Sequence, residues 1–246
     1  MNIEESWKTT CRLVLGKELK GSVHDYSDWL SKGLRIPGFQ KSMISGKLTR
    51  AFVKGSQVID NSELEFQKKA DVTELNEVKD VQSLLKVVSP ILTYTGNILR
   101  GECVNVENTL SCKNVDTVVN SYTIYLCKYV AYCSAVRYSE HMFGSGSCQP
   151  DCKLCIHAHN SIKVSNVFEV DWCQNSHDLM FCHNCRNVSH GLFCFNISNK
   201  NYVVGNKEVG LEKFKQIKQM VCNEIVEQLT KNKKFDYNIY NFSEKV

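Results

Sequence analysis

The apolar positions change period along this chain, and each change predicts a different element. Near the N-terminus Ile3, Trp7, Cys11 and Val14 recur at helical spacing with Leu15 beside them, which predicts helix within residues 1 to about 35. A second short helix is predicted from Tyr26 to Leu34, presenting Trp29 and Leu30 to a partner surface, and Pro37-Gly38 closes the region with a turn. The run Leu48 to Ile59 is β-branched and aromatic around a central glycine and predicts a short hairpin. Across 61–82, Val72, Leu75, Val78 and Val81 recur every third residue; this fits a helix face, or short turns of a coil.

From about Leu84 to Asn206 no helical period survives more than two turns. Short β-like runs alternate there with Asn, Ser and Gly. A small unit recurs among them, Cys-x-Asn, at Cys103–Asn105, Cys112–Asn114, Cys173–Asn175, Cys182–Asn184 and Cys194–Asn196. The segments Ser176–Asn184 and Ser189–Asn196 also carry Ser, His, Leu, Phe, Cys and Asn in the same order. Stacked coils supply a physical reason for such a unit. Equivalent residues of successive turns form columns, and Cys is small enough to stack inside. Asn tolerates the left-handed backbone of sharp corners, and its amide can bond its copy one turn away. The prediction is a mainly β fold with helical ends: an irregular β-solenoid, β-helix-like, with Cys inward and Asn at the corners. A compact β-sandwich and a zinc-ribbon cluster are the alternatives.

After Asn206, Leu211, Phe214, Ile217, Val221, Ile225 and Leu229 fall on one face of an amphipathic helix. A solenoid end exposes backbone and core, so this helix is predicted to cap it. The following Lys231–Lys234, with Phe235, Tyr237 and Tyr240, reads as a basic-aromatic tail in solvent, with nucleic acid as the alternative contact. The chain thus divides into an N-terminal helical and mixed region (1–82), the Cys/Asn-rich β-repeat (83–206), and the capping helix with its tail (207–246).

Composition narrows the class without naming a function. Of 246 residues 43% are hydrophobic and 23% charged, ordinary globular usage. A net charge of +4 neither demands nor excludes nucleic acid. Glu4 and Glu5 stand where a signal peptide would be positive, and no apolar stretch approaches a membrane span, so a cytoplasmic protein with no membrane partner is expected. Thirteen cysteines in that setting are expected as thiols or metal ligands.

The sharpest chemical motif is Cys148-x3-Cys152-x2-Cys155-x-His157-x-His159, with a second Cys-x-x-Cys at Cys182 and Cys185. Thiolates two residues apart can meet one tetrahedral zinc, so a structural zinc is expected from Cys148, Cys152, Cys155 and His157 or His159, or from both Cys-x-x-Cys pairs. A catalytic zinc would need an open position and a nearby base, and neither the HExxH nor the HxE…PCxxC order occurs. His177, His183 and His190 lie near Cys182 and Cys194 and open a cysteine-nucleophile reading. P-loop, dinucleotide and G-x-S-x-G patterns are lacking.

The run Leu192–Tyr202, then Gly205–Glu208, Glu212–Phe214 and Ile217-Lys218, resembles an uncharacterised family of Cys/Asn-rich hypothetical proteins of archaea and candidate-phylum bacteria. The resemblance covers about residues 173–220. It implies a run of Cys/Asn coils followed by a Lys/Glu-rich helix, and no activity.

The expected function is therefore a non-catalytic scaffold or binding protein that presents a solenoid surface to a protein partner. An RNA- or ribosome-associated zinc protein is the first alternative, and a zinc- or cysteine-dependent enzyme the second.

Overall fold

A computed structural model describes residues 2–34, 37–53, 57–66, 75–107, 109–119, 128–133, 137, 139–148, 152–161, 164–171, 173 and 175–245. Helix α1 (Ile3–Leu15) begins with a capping box in which Asn2 accepts from the Glu5 amide, and ends at Gly16 in the left-handed conformation. A 3-10 turn (Val23–Tyr26) and one helical turn (Ser27–Leu30) follow. Trp29 and Leu30 are 4% and 0% exposed, so the partner surface expected there is instead core.

The strands are β1 (Gly38–Lys41), β2 (Leu48–Ala51), β3 (Val58–Asp60), β4 (Tyr94–Gly96), β5 (Ile98–Glu107), β6 (Ser111–Val119), β7 (Lys128–Val130) and β8 (Gly146–Cys148). They continue as β9 (His159–Ser161), β10 (Val170–Asp171), β11 (Leu179–Met180), β12 (Cys182–His183), β13 (Arg186–Leu192), β14 (Ser198–Val204) and β15 (Lys207–Glu208). The hairpin forms between β1 and β2, one strand earlier than the pattern from Leu48 suggests, and β3 pairs parallel with β4 instead. Between 61 and 82 the described residues hold a 3-10 turn at Asn61–Glu63, a helical residue at Leu75 and the start of a helix at Val81 that runs to Val88; residues 67–74, with Val72, lie outside the described residues.

From β5 onward the chain is a β-solenoid. Asp116 pairs with Lys128, Val170 with Cys182, Leu179 with Gly191, and Arg186 with Ser198, all parallel and twelve residues apart. Asn184, Asn187, His190, Phe193, Asn196, Asn199 and Tyr202 all have positive φ, between 48° and 56°. A left-handed residue every third position turns the chain sharply, so each twelve-residue coil has four three-residue sides. In each side the first residue points in, the second out, and the third makes the corner. Cys-x-Asn is one such side.

One flank of the solenoid is apolar. Ala131, Phe143, Ile156, Phe168, Met180 and Leu192 recur at steps of twelve or thirteen and share a core with Trp7, Trp29 and the C-terminal helix. That helix (Leu211–Asn232) buries Phe214, Cys222, Ile225 and Leu229, with Ile217 and Val221 half-buried. It therefore covers the flank along with α1. Lys218 ties it to Asp178. At the last coil β15 folds back antiparallel on β14, and Lys200 pairs with Glu208 at 2.9 Å, which leaves charge on that edge.

The tail is not solvated as expected. Phe235 packs against Phe168 and Phe181, Lys233 donates to the Lys20 carbonyl at 2.6 Å, and buried Glu169 accepts from the Ile239 amide at 3.1 Å. A short helix, Phe242–Lys245, ends the described chain.

Candidate functional site

The interior of the coils holds the thiols. Cys173, Cys182, Cys185 and Cys194 lie in one buried cluster with Val170, Leu179, Val188 and Val203. Each thiol donates to the carbonyl two residues before it: Cys173 to Asp171 at 3.1 Å, Cys182 to Met180, Cys185 to His183 and Cys194 to Leu192, each at 3.4 Å. Three also lie within 3.4–3.7 Å of the carbonyl nine residues ahead: Cys173 near Cys182, Cys185 near Cys194, and Cys194 near Val203. Three of the carbonyls two residues before also take ladder bonds, Met180 from the Phe193 amide and His183 from the Asn196 amide at 3.0 Å and Leu192 from the Gly205 amide at 3.1 Å, so the weak S–H donor adds a second bond to each in the volume of a small apolar side chain. Hydrogen bonding to Cys185, with burial, drives the Cys173 thiol far above its ordinary value, and burial first of all does the same for Cys182. Hydrogen bonds from those two thiols lower Cys185 to about 4, and one from Cys182 lowers Cys194, so the inert packing role belongs to Cys173 and Cys182.

This geometry accounts for Cys-x-x-Cys without a metal. In a three-residue side the inward positions recur every third residue, so Cys182 and Cys185 are consecutive inward positions. So are Cys152 and Cys155, followed by Ala158, in a second cluster with Cys112, Cys133 and Met142. The two pairs occupy different core clusters, and the structure does not bring them together. His157 is 2% exposed and sits on the helical side, 5.6 Å from the Trp29 ring and 3.9 Å from the Glu169 carboxylate, whereas Cys155 faces the coil interior. Strands β8 and β9 pair in parallel, with Cys148 opposite Ser161 and Gly146 opposite His159; the side chains of Cys148 and His159 lie outside the described residues. Among the described residues no group of three or more His, Cys, Asp or Glu is placed to hold a metal ion.

The same alternation separates cysteine from histidine. His183 points outward and bonds Asp171, one coil back, at 2.8 Å, while Cys182 and Cys185 point inward. The coil wall lies between base and nucleophile. His190 stacks on Tyr202 at 4.6 Å and bonds Asn201 at 3.0 Å, again one coil on, in the manner of a structural column.

The uncovered corners are polar ladders. Asn184 donates to Asn196 at 2.9 Å, and Asn187 donates to Asn199 at 2.9 Å. Successive Cys-x-Asn units, stacked one on the next, would put Asn175, Asn184 and Asn196 in one column. The twelve-residue coil makes two: Asn184 with Asn196, and Asn187 with Asn199, to which Asn175 belongs by its twelve-residue step. A step of nine is three sides of a coil and a step of twelve is a whole one, so the uneven spacing of the Cys-x-Asn units is regular in space. The signal that could have found this is the Asn at 184, 187, 196 and 199, in steps of three and twelve. Arg186 and Ser198 stand outward between these corners and are exposed. No helix of the described residues is long and apolar enough to cross a membrane. Set against protein-family models, curated proteins and solved structures, the chain matches none.

Proposed function

We propose that this chain is a non-catalytic binding protein whose uncovered solenoid flank, running from the His183–Phe195 side to the Asn187–Asn199 corner, recognises a protein partner. The observation that carries the reading is the pair of exposed Asn ladders, 2.9 Å apart at each rung, on the side away from the helices. The two amides of each pair satisfy part of each other and keep free donor and acceptor positions toward solvent. Their spacing repeats with the coil, near the 4.8 Å separation of paired strands, so the flank offers a rigid row of hydrogen-bonding groups with little entropy to lose on binding. Arg186 adds a fork donor beside the row. The separation of inward thiols from outward histidines speaks against the cysteine-enzyme reading at this site, and Lys233 is engaged within the fold, which weakens the case for a nucleic-acid tail.

The test reverses the flank chemistry and leaves the ladders intact. Arg186→Glu combined with Ser198→Arg changes two exposed outward positions. Proteins that co-purify with the wild-type chain should be lost from this variant at unchanged thermal stability. An identical set of co-purifying proteins, or none with the wild type, overturns the proposal.

A further inference from the structure

A second recognition element lies away from the ladders. Between the C-terminal helix, the Phe193 corner and the returning tail is a cavity of about 230 Å³. Its walls are the rings of Phe193, Phe235, Tyr237 and Phe242, its floor is aliphatic, and Glu224 is its one charged lining residue. The rings do not lie flat on one another. Phe193 and Phe242 are 5.3 Å apart at 56°, and Phe235 and Tyr237 are 5.5 Å apart at 47°, so the rings line the space at differing tilts. Their order comes from the fold: Phe193 stands on Phe181 one coil below at 5.0 Å, and Phe235 and Phe242 pack on Phe181 in turn.

Aromatic faces carry negative potential and attract cations, most strongly where water is excluded. Glu224 adds a formal negative charge, and Gln228 donates to its carboxylate at 3.1 Å. An acidic ligand would be repelled here, and a neutral apolar one would gain nothing from the carboxylate. We propose that this cavity binds an alkylated ammonium group, the chemistry shared by quaternary amines and methylated lysine side chains.

Isothermal titration of the full chain tests this with choline, with a peptide bearing one trimethyllysine, and with the uncharged carbon isostere of choline in which a tert-butyl group replaces the trimethylammonium. Saturable binding of an ammonium ligand, with the isostere at least about five-fold weaker, is expected from cation–π attraction of roughly 1 kcal/mol. Preference for choline over the peptide assigns a free amine as the source, and the reverse assigns a modified protein. Glu224→Gln and Tyr237→Leu should each weaken binding several-fold. Tyr237 is 38% exposed, so its replacement leaves the buried rings in place, and unchanged thermal stability confirms this. Equal affinity for the isostere, wild-type affinity in both variants, or no saturation by either ammonium ligand overturns the proposal.

Discussion

The side-chain amide of Asn184 donates to the side-chain carbonyl of Asn196 at 2.9 Å, and both residues have left-handed backbone, with φ of 48° and 56°. One residue type thus performs two tasks at a corner: it accepts the conformation and ties one coil to the next. The two contributions separate experimentally.

Asn196→Ala loses the amide bond and keeps a Cβ in left-handed backbone without the local polar contacts that let Asn tolerate it. It is expected to destabilise the fold by about 1–2 kcal/mol. Asn196→Gly loses the bond but not the conformation, and should cost roughly 1 kcal/mol less than Ala. Denaturant unfolding of the two variants measures the difference. Equal losses would remove the corner argument.

Gly191 faces the thiol column. A Cβ there would stand 2.9 Å from a Leu179 methyl and 3.3 Å from both the Cys182 and Cys194 sulfurs. Gly191→Ala should therefore cost about 1–3 kcal/mol through overpacking. Cys194→Ala in the same chain should recover part of that cost, a coupling read from a double-mutant cycle. Strict additivity of the two changes would show that the sulfur and the new methyl do not meet.

Among the described free cysteines Cys103 alone is partly exposed. Burial pushes the Cys222 thiol up to about 11 and drives Cys11 higher still. At pH 8 a thiol reagent followed by peptide mapping should label Cys103 first, and Cys11, Cys182 and Cys222 only as the protein unfolds. Labelling of Cys182 at the rate of Cys103 would contradict the inward thiol stack. For the same reason, dialysis against a chelator should leave the melting temperature unchanged. A fall of several degrees, with zinc released, would show that the cysteines hold a metal.

Asp60 predicts an acid-dependent effect. Burial works against its charge, but hydrogen bonds from the Ser62 hydroxyl and amide, from Asn97 at 2.7 Å and from Lys47 at 3.0 Å outweigh it and hold the carboxyl well below its usual range. A carboxyl depressed on folding stabilises the native state in full above the unfolded value of about 4, and that contribution is lost as pH falls through the folded value. The wild type should therefore melt above Asp60→Asn at pH 7, with the gap closing as pH drops from about 4 toward 2. A gap that is constant with pH would sink this account.

The repeat was legible because Cys-x-Asn is one whole side of a coil, so its inward and corner positions show directly in the residues. Helix α1 and the face Phe214–Leu229 were legible for a similar reason, since a local period and a cap suffice. The Cys-x-x-Cys pairs are ambiguous in sequence because a zinc knuckle and a three-residue coil side produce the same spacing. Trp29 misled because a short helix with two large apolar residues reads alike whether its cover is a partner or its own chain.

Local chemistry by itself determined that this chain coils: residue size sets what fits inside a turn, and backbone tolerance sets where a corner falls. Only the tertiary structure decided which copies meet, because whether nine or twelve residues bring two Asn into one column depends on how many sides a coil has. It also decided which flank the helices cover and that thiol and imidazole lie on opposite sides of the wall. Those are consequences of closing the coil in three dimensions, and no stretch of a dozen residues contains them.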